Sequence, residues 1–149
     1  MFTKLLVALD GSEQAQKALE IAAVLAEKYG AEMVLAHVAD RSMLPQLMQQ
    51  LDADQKPPRG SPDVVYRWMV TEKILGEAKV RALEVGAPSV RTLSREGDPA
   101  VVICELARSE QADAVVMGTR GLGTFGGLFM GSVARKVASA APCSVITVK

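Results

Sequence analysis

The chain has 149 residues, the length of one ordinary domain. Hydrophobic residues make up 49% and charged residues 23%, a globular composition that excludes wholesale disorder. The 17 basic and 17 acidic side chains cancel, and there are only three Phe, two Tyr and one Trp. This argues against a general polyanion-binding face and against a stacking platform for single-stranded nucleic acid.

The run Leu5-Leu6-Val7-Ala8-Leu9, closed by Asp10-Gly11-Ser12, reads as a strand buried on both faces. Ser12 can cap a helix, with Glu13 at its positive end. Ala18, Ala22, Leu25, Ala26 and Tyr29 repeat at helical spacing until Gly30 stops them. Met33 to Val38 is a second apolar strand. The segment from Asp40 to Pro62 holds Pro45, Pro57, Pro58 and Pro62 and reads as a flexible insertion. Within it Leu44, Leu47, Met48 and Leu51 have the spacing of a small amphipathic helix. The insertion is either a surface loop or a lid.

Residues 63–85 are expected to be helical, with Trp68, Leu75, Ala78 and Ala82 on one side. Val90 to Arg95 interleaves polar residues, as an edge strand does. Asp98-Pro99 starts a helix whose apolar face is Val102, Ile103, Leu106 and Ala107. Ala114-Val115-Val116-Met117 is a fourth buried strand ending at Gly118. A glycine-rich segment follows, then a short helix from Ser132 to Ala141, Pro142, and a last strand from Ser144 to Val148. This alternation predicts a single α/β domain, a five-stranded parallel open sheet with helices on both faces. Ligands bind such sheets beyond the carboxyl ends of the strands, where the strand order reverses.

No apolar run approaches the roughly 20 residues of a membrane span. The first ten residues have no small-residue cleavage site and read as a strand. Cys104 and Cys143 are too few for a disulfide scaffold and suit a reducing compartment. The cytoplasm is the expected location.

Gly118 to Gly131 contains Gly118, Gly121, Gly123, Gly126, Gly127 and Gly131, half of the 12 glycines in the chain. A strand, a glycine loop and a helix N-terminus together suit a phosphate group, because the backbone N–H groups and the positive helix end face it. Two familiar spellings fail. Gly121-Leu122-Gly123-Thr124-Phe125-Gly126 has the dinucleotide spacing, but no helix opens within it and no ribose-binding acid follows. Gly126 to Ser132 lacks the lysine of a P-loop. The last 36 residues carry Arg120, Arg135, Lys136 and Lys149 and no acid, a local basic field in a neutral chain.

Gly118-Thr119-Arg120-Gly121, nine residues, then Gly131-Ser132 matches the nucleotide motif of the universal stress protein family. Val7-Ala8-Leu9-Asp10-Gly11-Ser12, Glu96-Gly97-Asp98-Pro99 and Ala141-Pro142-Cys143-Ser144-Val145 also resemble that family. The likeness covers the chain outside the insertion and falls in the ATP-binding subgroup. It implies a Rossmann-like sheet with strand order 3-2-1-4-5. It implies that Gly118, Gly121, Gly131, Ser132 and Val133 wrap the ribose and phosphates of ATP, with Arg120 in the same loop. By the same resemblance Asp10 faces the ribose and a phosphate-bound Mg²⁺, Ala8, Leu9 and the backbone of Val38 border the adenine, and Met117 closes the pocket near the base. Ala134 stands where ATP-binding relatives can carry a hydroxyl. The resemblance further implies a homodimer through Ser144 to Val148.

Asp10 has an alternative reading as a cap of the first helix or its turn. His37 is expected to make an ordinary hydrogen bond. Trp68 is expected in the core, Cys143 in core packing, and Asp113 in the turn before the fourth strand. No catalytic residue is assigned. The expected function is an ATP-binding stress-response sensor. The alternatives are a protein-interaction module with incidental nucleotide binding, and a slow ATPase or phosphotransferase.

Overall fold

The computed structural model describes residues 1–121 and 130–149. In chain order it runs β1 (Lys4–Ala8), α1 (Glu13–Tyr29), β2 (Glu32–Ala39), a 3-10 turn (Arg41–Met43), α2 (Leu44–Gln49), α3 (Pro62–Trp68), a π-helical stretch (Met69–Gly76) and α4 (Glu77–Val85). It continues with β3 (Ser89–Glu96), α5 (Pro99–Ser109), β4 (Ala114–Gly118), α6 (Ser132–Ala140) and β5 (Ser144–Val148). The strands are all parallel, in the order β3-β2-β1-β4-β5. This is the predicted sheet, with the predicted order.

The alternation of side chains along β1 explains why the sheet needs helices on both faces. Leu5 and Val7 join one apolar cluster with α1, the π-helical stretch and α4. Leu6 joins a second with α5 and α6. All three are fully buried, and each contributes about 1.5–3 kcal/mol by leaving water. β3, on the sheet edge, is mostly exposed, as its interleaved polar residues suggest.

The helix ends follow local rules. Ser12 caps α1 by accepting from the N–H of Ala15, and Gly30 ends it in a left-handed conformation. Ser61 and Asp98 cap α3 and α5 in the same way. Asp113 does more than sit in a turn. Its Oδ2 accepts from the N–H and hydroxyl of Thr3 and from the N–H of Lys4, fixing the start of β1 to the start of β4. Those bonds hold its carboxyl below the usual range.

The helical span 63–85 is one continuous run with a π-helical centre. There the Thr71 carbonyl lies so close to Gly76 that a Cβ on Gly76 would stand 2.7 Å from it. The aromatic anchor differs from the expectation. Tyr66 is the buried residue, whereas Trp68 is half-buried at the rim of the core. Tyr29 is likewise largely exposed, packed edge-on against Phe2.

Candidate functional site

The strand order reverses at β1, so the carboxyl ends of β1 and β4 open a crevice between their connections. Its free volume is about 290 Å³. Every site residue singled out in the sequence lines it. Ala8, Leu9 and Asp10 come from the end of β1, Val38 from β2, and Met117 and Gly118 from β4. Arg120 and Gly121 follow β4, and Gly131, Ser132 and Val133 form the start of α6. Gly123, Gly126 and Gly127, the middle of the glycine-rich segment, lie outside the described residues.

The polar wall is built around Asp10. The Ser12 N–H donates to its Oδ1 at 2.9 Å, and Ser12 itself caps α1. Asp10 therefore shapes the turn and is not the helix cap. Across from it stands Gly121, where a Cβ would collide with Asp10 Oδ2. A side chain at this position would push the Asp10 carboxylate aside.

The loop is held from both sides. The Thr119 N–H donates to the Val148 carbonyl at 2.8 Å, and the Gly131 N–H donates to the Thr119 carbonyl at 2.6 Å. Gln14 Oε1 accepts from the Thr119 hydroxyl at 3.1 Å and from the Arg120 N–H at 2.8 Å. Gln14 escaped the sequence reading, because it looks like any polar residue in a first helical turn. Gly118 packs against the same turn: a Cβ there would lie 2.9 Å from Gln14 Cβ and 3.1 Å from its carbonyl carbon.

Helix α6 begins at the crevice. Its cap residue, Gly131, has no side chain to occupy the first-turn N–H groups, unlike Ser12, Ser61 and Asp98 at the starts of α1, α3 and α5. Among the described residues no side chain caps the positive end of α6 where it meets the crevice, and that end favours an anion. Ala134, 2% exposed, lines the wall without a hydroxyl. Arg135 turns outward, its guanidinium on the Met130 carbonyl at 3.3 Å.

The opposite wall was only partly foreseen. Met43 and Leu47 of the 40–62 segment and Tyr66 of α3 line it. Leu47 is 1% exposed and packs on Gly11, whose φ of +88° and missing Cβ leave the space. The helical spacing of Leu44, Leu47 and Met48 was the available signal for this packing. His37, 3% exposed, makes two hydrogen bonds. Its Nδ1 donates to the Leu9 carbonyl at 2.8 Å, since a carbonyl only accepts. Its Nε2 then accepts from the Tyr66 hydroxyl at 2.7 Å. The Tyr66 oxygen in turn accepts from the Asp40 N–H at 2.9 Å. Burial lowers the His37 pKa and raises that of Tyr66, so the imidazole is neutral at pH 7.

Both cysteines belong to the second cluster, on the α5 and α6 side of the sheet, and burial raises both thiols. Among the described residues no group of three or more His, Cys, Asp or Glu side chains could hold a metal ion. No helix among them is long and apolar enough to cross a membrane.

A doubly wound parallel sheet, with a crevice at its switch point walled by a carboxylate and a helix N-terminus, defines an α/β protein with a small-anion or nucleotide type of site. The chain belongs to the universal stress protein family, whose family model matches residues 1–149. A universal stress protein of Thermus aquaticus is 35% identical over 149 residues, the whole of both chains. A solved universal stress protein in complex with cAMP is 25% identical, with a TM-score of 0.68 over 99% of this chain and 96% of that one. The universal stress protein of Archaeoglobus fulgidus in complex with dAMP shares the fold, at 22% identity and a TM-score of 0.69 over 100% of this chain and 98% of that one.

Proposed function

We propose that the crevice binds an adenine nucleotide, ATP with Mg²⁺, and that the protein acts as a nucleotide-dependent sensor or regulator in the stress response. The observation that carries this reading is the pairing of the Asp10–Gly121 contact with the open N-terminus of α6 in one crevice. The solved relatives that hold cAMP and dAMP support the adenine nucleotide class.

In this reading Gly118, Gly121, Gly131, Ser132 and Val133 wrap the ribose and phosphates through their backbone, with Arg120 beside them. Ala8, Leu9 and Val38 border the adenine, and Met117 closes the base end. One carboxylate cannot hold Mg²⁺ alone, but Mg²⁺ is commonly held by one or two carboxylates plus substrate phosphates. Asp10 fits that part, and the ion would neutralise phosphate charge beside it. The exposed edge of β5 supports a homodimer through Ser144 to Val148, since β5 is hydrogen-bonded only to β4 within the described sheet. A cytoplasmic location suits this reading.

The test is a titration of ATP, with and without Mg²⁺, into the wild type and Asp10→Ala. Asp10→Ala is expected to lose most of the Mg²⁺ dependence of binding. If Asp10 only shapes the turn, the variant loses about 1 kcal/mol of stability for the hydrogen bond to Ser12 and keeps the full Mg²⁺ response. That second result would contradict the assigned role.

A further inference from the structure

Behind the crevice, one chain of hydrogen bonds joins three parts of the fold. It runs from the Asp40 N–H to the Tyr66 oxygen, from the Tyr66 hydroxyl to His37 Nε2, and from His37 Nδ1–H to the Leu9 carbonyl. Each donor has one acceptor, and the direction is fixed at both ends by a group that can act in only one way. Asp40 is the residue from which the 3-10 turn and α2 depart, and these carry Met43 and Leu47 into the crevice wall. Leu9 immediately precedes Asp10. The chain of bonds therefore runs from the base of the 40–49 arm to the residue that precedes Asp10.

We infer that Tyr66 is a positioning residue that latches the 40–49 arm over the crevice, and that the latch holds only on neutral His37. This rests on the nucleotide reading of the same crevice. A proton on Nε2 sets a donor against the Tyr66 hydroxyl. The hydroxyl must then turn its hydrogen away from the imidazole, and its oxygen must serve both the imidazolium and the Asp40 N–H. The displaced hydrogen loses the acceptor it has at Nε2. The ligand loses a wall held in place by Met43 and Leu47.

The other charged groups that act on this pair are Asp10 from the end of β1, Asp40 from the end of β2, and Arg41, which acts on Tyr66. The two acids favour the imidazolium and burial opposes it more strongly, so protonation falls below the ordinary His range of about 6.5. The sign is diagnostic. An imidazolium acting merely as a charge near phosphates would tighten binding as pH falls. The latch loosens it.

The experiment measures ATP affinity of the wild type and Tyr66→Phe at pH 7.5 and at a lower pH where the NMR signals of the His37 ring show it protonated. Titration of the nucleotide itself is common to both proteins and cancels in their ratio. The expected wild-type advantage is roughly two- to ten-fold at pH 7.5, the worth of one hydrogen bond, shrinking towards parity at the lower pH. A ratio of one at both values, or a ratio that does not change with pH, overturns the latch while leaving the nucleotide reading intact. No saturable ATP binding by the wild type overturns the nucleotide reading and the affinity claim together. Hydrogen exchange in the wild type, corrected for intrinsic rates, gives a measurement independent of the variant. Residues 40–49 should lose protection as the His37 ring titrates, and unchanged protection through that titration overturns the latch.

Discussion

Replacing Gly131 with valine is expected to weaken ATP binding by roughly ten- to several-hundred-fold while leaving the fold intact. Gly131 caps α6 with φ of −63° and ψ of 161°, an extended conformation that β-branched residues favour. The backbone therefore accepts the valine side chain without strain. The cost falls on the ligand. Branched methyl groups would stand where, in the proposed complex, backbone N–H groups of the helix start approach a phosphate. Charge-assisted hydrogen bonds are worth about 1.5–3 kcal/mol each, and one or two would be lost. Calorimetry on both proteins, with circular dichroism to confirm folding, measures this. Unchanged affinity in a folded variant would remove the phosphate from the start of α6.

The second large effect is expected at Gly118, and it acts on the fold first. Gly118→Ala places a Cβ 2.9 Å from Gln14 Cβ and 3.1 Å from the Gln14 carbonyl carbon. The first neighbour is anchored on α1 and the second is helix backbone, so neither can swing away as a side-chain tip would. Overpacking of this kind costs about 1–3 kcal/mol. Moving the first turn of α1 also pulls Gln14 Oε1 from the Thr119 hydroxyl and the Arg120 N–H. A lower denaturation midpoint and weaker nucleotide binding should therefore appear together. A midpoint equal to the wild type would show that β4 and α1 have room between them that the geometry does not allow.

The residues that were legible in the sequence are those whose signal is local. Leu5 to Leu9 and Ala114 to Met117 are continuous apolar runs because the strands are buried on both faces. The alternation at Val90 to Arg95 marks an edge for the opposite reason. Gly118, Gly121 and Gly131 stand out by their spacing, and at Gly118 and Gly121 a Cβ would meet a neighbour. By contrast, Gln14 meets Thr119 and Arg120 across more than a hundred residues, and nothing in its neighbours announces that. From the sequence Trp68 is expected as the core anchor, and the buried aromatic is Tyr66. What decides between them is the polar handle of Tyr66, satisfied by His37 and the Asp40 N–H from other elements. The π-helical stretch is a change in hydrogen-bond register, to which apolar spacing over 63–85 is insensitive. Leu47 was visible as part of an amphipathic pattern. Its seat on Gly11 was not, because that contact depends on the turn conformation at Gly11.

In the proposed function the crevice holds ATP and reads it without consuming it quickly. Rapid phosphoryl transfer needs cations on the transferred group and a residue that orients the nucleophile. Among the described residues of the loop, Arg120 is the cation, and Arg135 turns to the Met130 carbonyl. Backbone N–H groups hold ground-state and transition-state phosphates nearly alike, giving affinity without rate. The most direct measurement is a calorimetric titration of Mg²⁺-ATP into the wild type, with phosphate release followed in the same samples. Saturable binding of one ATP per chain is expected, with a kcat far below the typical enzyme value of about 10 s⁻¹. Absence of saturable binding would contradict it. So would a kcat of about 1 s⁻¹ or more that disappears in Gly131→Val, which would make the protein an enzyme.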